Sequence, residues 1–589
     1  MKLTNATCLL VLIAAIAASS VYCQEPPAKP NIVFILTDDV GYGDLGCLGN
    51  PIIKTPELDR LRDVSVSLAD FHVSPMCTPT RGSILTGLDP ARHRATMVCR
   101  GRSILNPATP TVAEHLSKAG YATGLFGKWH LGTDRPHTPA DRGFQETLWF
   151  RASHIGGTSD FFNNDYFDPF LIHNGMQTRY KGYITDILFD EAMTWMKYSK
   201  ERERPFFAFL PLNAAHGPFW GDPEYRKPYR KLRDIEARFY GMIAQIDENV
   251  GRLQAFLKKE GLAENTILIF TSDNGTAMGH DIHNAGMRGH KRSLYDGGHR
   301  VPCFVRWPAG GIAEGREVKP LTRGTDWMPT LLAAAGVPVP ADLDGMNILE
   351  LLQGKEGKQF DDRFSVVQMG HKQIEHAGLV KWDAALMWKT WRMIGSGELY
   401  NLASDPGQSE NVIEANPEIA EKLKAKYEAW WSRMPEDHLE YVANIVGADQ
   451  EQTFLCAPDW QLGYCDHPGG HRGGLNVNGF WRIDVKRAGV YEIQMARWPE
   501  EAKLPITSGL PMFIARDGMF MAGKVLPIAK GLVEVGDFHH EKSVPNNTAL
   551  LPFEVRLDKG LTDIKCSFLD KEGRQVCGAY YCYVRYLKP

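Results

Sequence analysis

NIVFILTDD, the stretch Asn31–Asp39, is an uninterrupted apolar run that ends abruptly in polar side chains. Short apolar runs without polar alternation are typical of strands that are buried on both faces of a parallel sheet. Three further runs share this character and are also predicted to be buried strands: Tyr121–Phe126, Phe206–Leu210 and Thr266–Phe270. The four runs together predict the centre of one large, mostly parallel sheet.

Helical patterns alternate with these strands. The segment Thr111–Ala119 ends at Gly120, which suits a helix C-terminus, and the segments Thr185–Lys200 and Asp234–Glu260 are longer and amphipathic. Alternation of strands and helices predicts an α/β fold whose large mixed sheet is flanked by helices on both faces. We assign residues 30–360 to this domain.

The pattern changes twice after residue 360. Residues 361–440 predict a smaller α+β subdomain with short antiparallel strands and a final helix at Pro417–Arg433. Its predicted strands are Phe364–Met369, Ala385–Met387, Trp391–Ile394 and Glu398–Leu402. Residues 449–589 predict a β-rich accessory domain, best described as a β-sandwich. In it, Trp481–Lys486 and Val490–Arg497 alternate in polarity around Ala488-Gly489, which predicts a hairpin.

Length, charge and the first residues limit the class of protein. The chain of 589 residues is long enough for two or three domains, and its formal net charge of −4 argues against a general attraction to nucleic acid or anionic lipid. Lys2, the apolar run Cys8–Ala18 and a cleavage point near Cys23 predict a signal peptide over residues 1–23, with a membrane anchor as the alternative. We therefore expect a secreted or periplasmic protein without a membrane span.

The number of cysteines outside the predicted signal peptide is odd, so at least one thiol has no disulfide partner. The chain has 11 cysteines, of which Cys8 and Cys23 lie in the predicted signal peptide, so an odd number remains. Five of them fall in the last domain, where disulfide bridges are plausible in an exported protein: Cys456, Cys465, Cys566, Cys577 and Cys582. At least one cysteine is then free for other chemistry.

Polar side chains follow the predicted strands at their carboxyl ends, where open α/β sheets bind ligands. Asp38 and Asp39 follow the first strand, and Asp273 and Asn274 follow another. Either pair alone would be read as a turn or a helix cap. Together they form an oxygen-only set of the kind that binds hard cations, so we predict a calcium site, with magnesium as the alternative. The other strands lead to Lys128, His130 and His216.

The third element of the candidate site is the stretch that begins at Cys77. In the stretch Cys77–Ser83, which reads CTPTRGS, Pro79 can begin a helix that runs to Gly87. Cys77 would then lie beside a helix N-terminus, where backbone N–H groups favour an anion. On spacing alone, a buried or bridged cysteine is the more ordinary interpretation.

The order of these motifs resembles the sulfatase family over residues 30–440. Cys77–Arg81 is similar to the family pattern C-x-P-x-R, and Gly127–Gly132, which reads GKWHLG, is similar to its second pattern. The remaining matches are Asp38-Asp39, Asp273-Asn274-Gly275, and Lys291 ahead of Leu294–Pro302. Asp296 stands where the family has glutamate, and the last domain lies outside the family core.

The resemblance implies a role for each of these residues. Cys77 would be converted to formylglycine by a formylglycine-generating enzyme, and its hydrated aldehyde would attack sulfur and then expel sulfate. The cation would be held by Asp38, Asp39, Cys77, Asp273 and Asn274. Arg81 would steady the nucleophile and the metal ligands, and Lys128 and Lys291 would clamp sulfate oxygens. His130 would take the proton that allows sulfate to leave, and His216 would protonate the leaving alcohol or bind sulfate.

Several other residues keep two interpretations. His280, His283 and His290 line the site or are simply exposed, and Arg94, Cys99, Arg100 and Arg102 recognise an acidic substrate or belong to a solvated loop. Trp460, Trp481 and Trp498 form a sugar-stacking platform or, as we expect, part of a core.

Three functions remain open. A sulfatase would act on a sulfated glycan or an aryl sulfate, and the attached β-rich domain favours a glycan by analogy. A phosphodiesterase or phosphonate hydrolase would share the fold, and a glycan-binding protein would keep the fold without turnover. The argument against the loss of catalysis is that six residues are intact: Cys77, Arg81, Lys128, His130, His216 and Lys291.

Overall fold

The computed structural model describes residues 29–355, 357–370 and 379–589. The predicted signal peptide, residues 1–23, lies outside the described residues. Within them, no helix combines the length and apolar character that crossing a bilayer requires.

The centre of the molecule is a mixed sheet of ten strands. In spatial order these are Glu317–Val318, Val66–Leu68, Cys303–Arg306, Thr266–Ser272, Asn31–Thr37, Phe206–Pro211, Ala122–Lys128, Glu146–Phe150, Phe170–His173 and Met176–Arg179. A short pair, Phe71–His72 with Thr322–Arg323, runs separately. The four strands predicted from apolar runs are adjacent and parallel, so the predicted α/β class is confirmed.

Helices cover both faces of this sheet. Alternate side chains of its central strand enter different cores, Val33 and Ile35 on one side and Ile32 and Phe34 on the other. The first core includes residues of Ile184–Glu201 and Asp234–Lys259, and the second includes residues of Cys77–Thr86, Val112–Lys118 and Trp327–Ala334. Shorter helices are Pro56–Asp63, Pro90–His93, Pro223–Arg226, Asp296–His299 and Leu349–Leu352. Burial on both sides explains why the central strands read as continuous apolar runs.

The smaller sheet has four antiparallel strands, as the sequence predicts. They are Phe364–Gln368, Ala384–Trp388, Trp391–Ile394 and Glu398–Asn401, and the helix Pro417–Trp431 packs on them. Arg392 joins this sheet to the large domain, because its guanidinium contacts Asp70 at 2.7 Å and Asp296 at 3.1 Å. Burial alone would raise the pKa of Asp296, but Arg392, His72 and His299 together outweigh burial and the net shift is downward.

Replacing Arg392 with methionine is expected to destabilise the protein strongly. The change keeps an unbranched apolar stem but leaves Asp296, which is 1% exposed, without its cation. Removing one partner of a buried ion pair costs about 3–5 kcal/mol. Thermal unfolding should show the loss, whereas Arg556→Met, at an exposed strand position, should leave the melting temperature within about one degree. Equal melting temperatures for both variants would contradict this role for Arg392.

The C-terminal domain consists of two packed antiparallel-rich sheets. One contains Asn444–Val446, Phe480–Val485, Gly560–Leu569, Lys530–Val535 and Phe538–Ser543, with Gln575–Gly578 paired to its long strand. The other contains Gln452–Cys456, Tyr581–Lys588, Gly489–Ala496 and Leu551–Leu557. The short pair Phe513–Ala515 and Gly518–Phe520 and the helix Pro468–Gly473 complete the domain. One core lies between the two sheets.

The structure differs from two predictions for this domain. The predicted hairpin at Ala488-Gly489 is wrong, because Phe480–Val485 and Gly489–Ala496 lie in different sheets. A strand that is buried on one face alternates in polarity whichever sheet it joins, so the pattern could not choose between pairing and crossing over. All nine cysteines of the described residues are free thiols, so the expected bridges are not present there. The last five cysteines are buried as small apolar side chains.

The three tryptophans belong to the core, as expected. Trp460, Trp481 and Trp498 are at most 1% exposed. Trp481 Nε1 donates to the carbonyl of Cys456 at 2.8 Å. A sugar-stacking surface formed by these rings is therefore ruled out by their burial.

Candidate active site

Two adjacent strand ends bring four oxygen-bearing side chains together. Thr37 and Ser272 are paired at the ends of parallel neighbours, so the residues after them meet at one edge of the sheet. Asn274 Nδ2 donates to Asp39 Oδ1 at 2.8 Å, and the Asp39 amide donates to Asp273 Oδ1 at 3.3 Å. A Cβ at Gly275 would lie 2.0 Å from the carbonyl oxygen of Gly297, so only glycine allows this turn.

The charge balance of this set fits a cation. Asp38 Oδ1 and Asn274 Oδ1 are buried and accept no hydrogen bond from any described residue. Burial and the neighbouring Asp38 carboxylate raise the pKa of Asp273 well above its usual value, although Arg81 opposes the shift. Ligand atoms of Asp38, Cys77 and Asp273 lie within 4.8 Å of one another. Orphaned oxygens and opposed carboxylates in this arrangement suit a hard divalent ion.

Cys77 opens the helix that crosses this edge. The helix runs Cys77–Thr86, with Met76 as its N-cap and Gly87, at φ +68°, ending it. The predicted start at Pro79 is therefore two residues late. Proline is tolerated throughout the first turn, where its missing N–H would be unpaired anyway, so it marks the turn rather than its first residue. Cys77 is 2% exposed and lies at the positive end of the helix dipole.

Arg81 connects the helix to the oxygen set. It is 1% exposed, and its Nε and Nη2 donate to Asp273 Oδ2 at 3.0 and 2.7 Å. Its Nη1 donates to the Lys128 carbonyl at 2.7 Å. Burial alone would lower the pKa of Arg81, but Asp273 and Asp38 outweigh it and the guanidinium stays charged. Arg81 therefore holds Asp273 and the end of a second strand in fixed positions.

Two lysine ammonium groups contact the oxygen set, one at Asp38 and one at Asp39. Lys128 Nζ donates to Asp38 Oδ2 at 2.6 Å and is completely buried. Lys291 Nζ lies 2.5 Å from Asp39 Oδ1; burial alone would lower the lysine pKa, but Asp39 and the other negative groups nearby together raise it. Two fixed ammonium groups beside Cys77 favour an anionic ligand.

His130 is a neutral acceptor facing Cys77. Its Nε2 lies 2.9 Å from the Val98 carbonyl, which requires hydrogen on Nε2 and leaves the Nδ1 lone pair 3.5 Å from Cys77 Sγ. Burial, reinforced by Lys128, lowers the pKa of His130 to about 3. Its backbone is left-handed, at φ +57°, as is that of Asp39 at +66°. Strained conformations of this kind concentrate at functional sites.

His216 has the opposite tautomer. Its Nδ1 donates to the Gly217 carbonyl at 2.6 Å, so Nε2 carries the lone pair, 3.9 Å from Asp39 Oδ2. Burial and Lys291 lower its pKa well below the usual value. Nε2 of His216 must therefore gain a proton before this atom can donate one to a ligand. An approaching anion would favour that protonation.

The segment around Cys99 is buried and not exposed to solvent. Cys99, Arg100 and Arg102 are buried, so the interpretation of this segment as a solvated loop is wrong. Arg102 stacks on the Tyr441 ring at 3.7 Å, and Arg94 pairs with Asp437. Arg100 Nε and Nη1 are buried, and no described residue accepts a hydrogen bond from them. The short spacing of these residues carried no sign that a later segment covers them.

The loop histidines stay with both interpretations. His280 and His290 stack on each other at 4.3 Å between ring centroids. His283 Nε2 comes within 3.3 Å of the position that a Cβ on Gly49 would take. None of these contacts distinguishes a role in the site from a structural one.

Four site residues escaped the sequence interpretation: Ser153, His154, Asp466 and His467. The His154 ring stacks on His216 at 5.6 Å and on His467 at 5.7 Å, and Ser153 Oγ contacts Asp466 Oδ2 at 2.6 Å. Ser153 and His154 follow a strand without a distinctive pattern, and the other two belong to a domain that we treated as accessory. No local feature of the sequence connects the two pairs.

The site as a whole combines three chemical capacities. It offers a cation-binding oxygen set, fixed ammonium and guanidinium groups for an anion, and an unprotonated imidazole beside residue 77. Such a site can hold a tetrahedral oxyanion ester, stabilise the charge that develops on it and accept a proton during its cleavage.

Comparison with known proteins agrees with this chemistry. Residues 30–337 match the sulfatase family, and residues 288–432 match the family described as N-sulphoglucosamine sulphohydrolase, C-terminal. Human arylsulfatase A is 30% identical over 472 residues, covering 70% of this chain and 89% of that protein. N-acetylgalactosamine-6-sulfatase of Rattus norvegicus is 30% identical over 374 residues, covering 58% and 70%.

A solved structure extends the likeness to the fold. The crystal structure of Ps i-CgsB in complex with k-i-k-neocarrahexaose superposes with a TM-score of 0.63 at 26% identity. The superposition covers 69% of this chain and 94% of that one.

Proposed function

Since this chain belongs to the sulfatase family and hydrolyses sulfate esters, we propose that it removes sulfate from a sulfated carbohydrate, with residue 77 as nucleophile. The observation that carries the proposal is the proximity of Cys77 Sγ to one oxygen each of Asp38 and Asp273, all within 4.8 Å. A nucleophile at that position lies beside the cation set and at the N-terminus of a helix.

The cysteine itself is converted before catalysis. Oxidation of Cys77 by a formylglycine-generating enzyme would provide, as the hydrated aldehyde, one hydroxyl that attacks sulfur and a second that lets sulfate leave. A bound calcium ion, or magnesium as the alternative, would lower the pKa of the attacking hydroxyl and offset charge on the sulfate oxygens. Asp38, Asp39, Asp273, Asn274 and residue 77 would hold it.

The surrounding side chains position the ester and move protons. Lys128 and Lys291 bind sulfate oxygens, and Arg81 keeps Asp273 and the nucleophile in register. His130 Nδ1, unprotonated and 3.5 Å from Cys77 Sγ, accepts the proton from the second hydroxyl. His216 binds the sulfate or, once protonated at Nε2, donates to the leaving alcohol.

A carbohydrate substrate has separate support. One relative is named for a sulfate ester of an amino sugar, and one structural neighbour is solved with neocarrahexaose. Aryl sulfates would be accepted as small surrogates. The apolar run Cys8–Ala18 supports export to the periplasm or beyond the cell, where such glycans occur.

Paired esters with the same leaving group distinguish a sulfatase from a phosphodiesterase or phosphonate hydrolase. With 4-nitrophenyl sulfate and 4-nitrophenyl phosphate, we expect kcat/KM to be at least about tenfold higher for the sulfate, a preference of about 1.4 kcal/mol. The reverse preference would favour the second class.

Peptide mass spectrometry addresses the non-catalytic alternative. Protein from its native host should carry the aldehyde at residue 77, and the other cysteines, such as Cys303, serve as internal controls for adventitious oxidation. Unmodified Cys77 throughout, together with no sulfate release, would favour a glycan-binding protein.

A further inference from the structure

A loop of the C-terminal domain, residues 462–467, reaches the catalytic residues although the family matches end at residue 432. The Thr158 amide donates to the Asp466 carbonyl at 3.1 Å, and Ser153 Oγ contacts Asp466 Oδ2 at 2.6 Å. Asp466 is 6% exposed. The domain outside the family core therefore contributes to the wall of the site.

The hydrogen bonds of Ser153 determine the tautomer of His154. A serine hydroxyl has one hydrogen, and Ser153 gives it to the Asp466 carboxylate, so its oxygen must accept from His154 Nδ1 at 2.8 Å. The lone pair of His154 is then on Nε2. That atom is buried, and no group in the described ranges donates to it.

His467 extends the same row of rings outward. The His154 ring lies between His216 and His467, at centroid distances of 5.6 and 5.7 Å and interplanar angles of 19° and 28°. His467 Nδ1 accepts from the Gly469 amide at 3.0 Å, so Nε2 carries the hydrogen. His467 is exposed and can donate outward from this position.

Two deeply buried acceptors in this row lack a donor. Asp466 Oδ1, like His154 Nε2, receives no hydrogen bond from the part of the chain that the structure describes. Buried acceptors are nearly always paired, and sulfate oxygens cannot pair them because they are acceptors themselves. Donors in the ligand, such as sugar hydroxyls or amide N–H groups, would be the complementary partners for such acceptors.

The domain that carries this loop also contacts the catalytic domain at a second place. Asp517 of the C-terminal domain pairs with Arg226 at 2.9 Å and with Arg238 at 2.6 Å on the catalytic domain. Trp220 and Phe520 pack across the same boundary at 4.8 Å between ring centroids. The domain that carries residues 462–467 is therefore docked on the catalytic domain through charge and apolar contacts.

We propose that Asp466 and His467 are specificity-determining residues that bind hydroxyl or amide groups of the sugar ring bearing the scissile sulfate. Asp466 accepts from a ring substituent, and His467 Nε2–H donates to an oxygen of the same or the adjoining sugar. The carboxylate also disfavours a second sulfate at that position by like-charge repulsion. This inference rests on the sulfatase activity proposed above.

Two conservative variants test the proposal. Asp466→Asn keeps shape and removes the carboxylate, and His467→Asn keeps a side-chain acceptor for the Gly469 amide while removing the imidazole. Each is assayed with 4-nitrophenyl sulfate, which has no sugar hydroxyls, and with galactose 6-sulfate and the 4- and 6-sulfates of N-acetylgalactosamine. We expect kcat/KM for the best sugar to fall about ten- to a hundredfold further than kcat/KM for the aryl ester of the same variant.

Controls separate this idea from the activity on which it rests. Asp558→Asn, at an exposed position of the same domain, should behave as wild type with both substrate classes. Melting temperatures identify a variant that has lost its fold. If one of the two variants unfolds, the kinetics of the other variant test the proposal. Wild-type protein that releases no sulfate from any ester would contradict the proposed function itself.

Other outcomes overturn the inference alone. If Asp466→Asn lowers turnover of aryl and sugar sulfates equally, the carboxylate only orients Ser153 and His154. If the wild-type protein cleaves the aryl ester but none of the sugar sulfates in the panel, Asp466 and His467 do not form a subsite for these sugars. If both variants keep wild-type sugar turnover, the loop does not touch substrate.

Discussion

Cys77→Ser is expected to abolish sulfate release while leaving the protein folded. Serine fills nearly the same volume as cysteine at a position that is 2% exposed, so unfolding temperatures should match those of wild type within about two degrees. Its single hydroxyl can accept a sulfuryl group but has no second oxygen to expel it. Multiple turnover of 4-nitrophenyl sulfate should fall more than about a thousandfold, as measured by nitrophenol release.

The matched control is Cys47→Ser. Cys47 is a half-buried thiol outside the site, and burial and Asp59 raise its pKa, so it is not poised as a nucleophile. This variant should retain wild-type turnover. Cys77→Ser should in addition accumulate a sulfated residue 77 that mass spectrometry detects after one turnover. Sustained turnover by Cys77→Ser would falsify the role assigned to residue 77.

Asp273→Ala is expected to remove both the bound metal and the activity. Asp273 lies within 4.8 Å of the ligand atoms of Asp38 and Cys77 and accepts two hydrogen bonds from Arg81. Loss of a residue that merely supports a metal ligand costs about 10–100-fold in affinity or activity, so loss of a ligand should cost more. Metal content is measured by elemental analysis of the purified protein, alongside sulfate release.

Stability must be followed in the same experiment, because among the described residues alanine leaves Arg81 with the more distant Asp38, at 3.8 Å, as its counterion. Asp273→Asn separates the two effects, since it keeps the side-chain volume and one oxygen but lowers the ligand charge. We expect it to bind metal more weakly and to respond to added calcium, which Asp273→Ala should not. The exposed carboxylate of Asp342 supplies the control, Asp342→Ala. Unchanged metal content in Asp273→Ala would remove this residue from the ligand set.

Much of the candidate site is predictable because its residues follow regular elements. Asp38 and Asp273 each come directly after an apolar strand, and neighbouring parallel strands end at one edge of a sheet. Cys77 precedes a proline that marks the first turn of a helix, even though the helix begins two residues earlier than expected. In these cases the local sequence pattern is enough to predict where in the fold each residue lies.

Strand pairing in the last domain shows where local patterns stop being informative. Phe480–Val485 and Gly489–Ala496 alternate in polarity as paired hairpin strands would, yet they belong to opposite sheets. Alternation reports only that one face is buried, and both sheets of a sandwich bury one face. The partner of each strand is chosen by packing across the whole domain.

The α/β fold, the order of the motifs and the residue types that meet at the sheet edge could be predicted from the amino-acid sequence. Those features follow from short-range periodicity and from the shared direction of parallel strands. The position of Asp466 and His467 beside Ser153, His154 and His216, more than 300 positions away from the first two of these, became visible in the folded structure. Contacts between such distant segments arise from the docking of one folded domain on another, which leaves no periodic pattern in either segment.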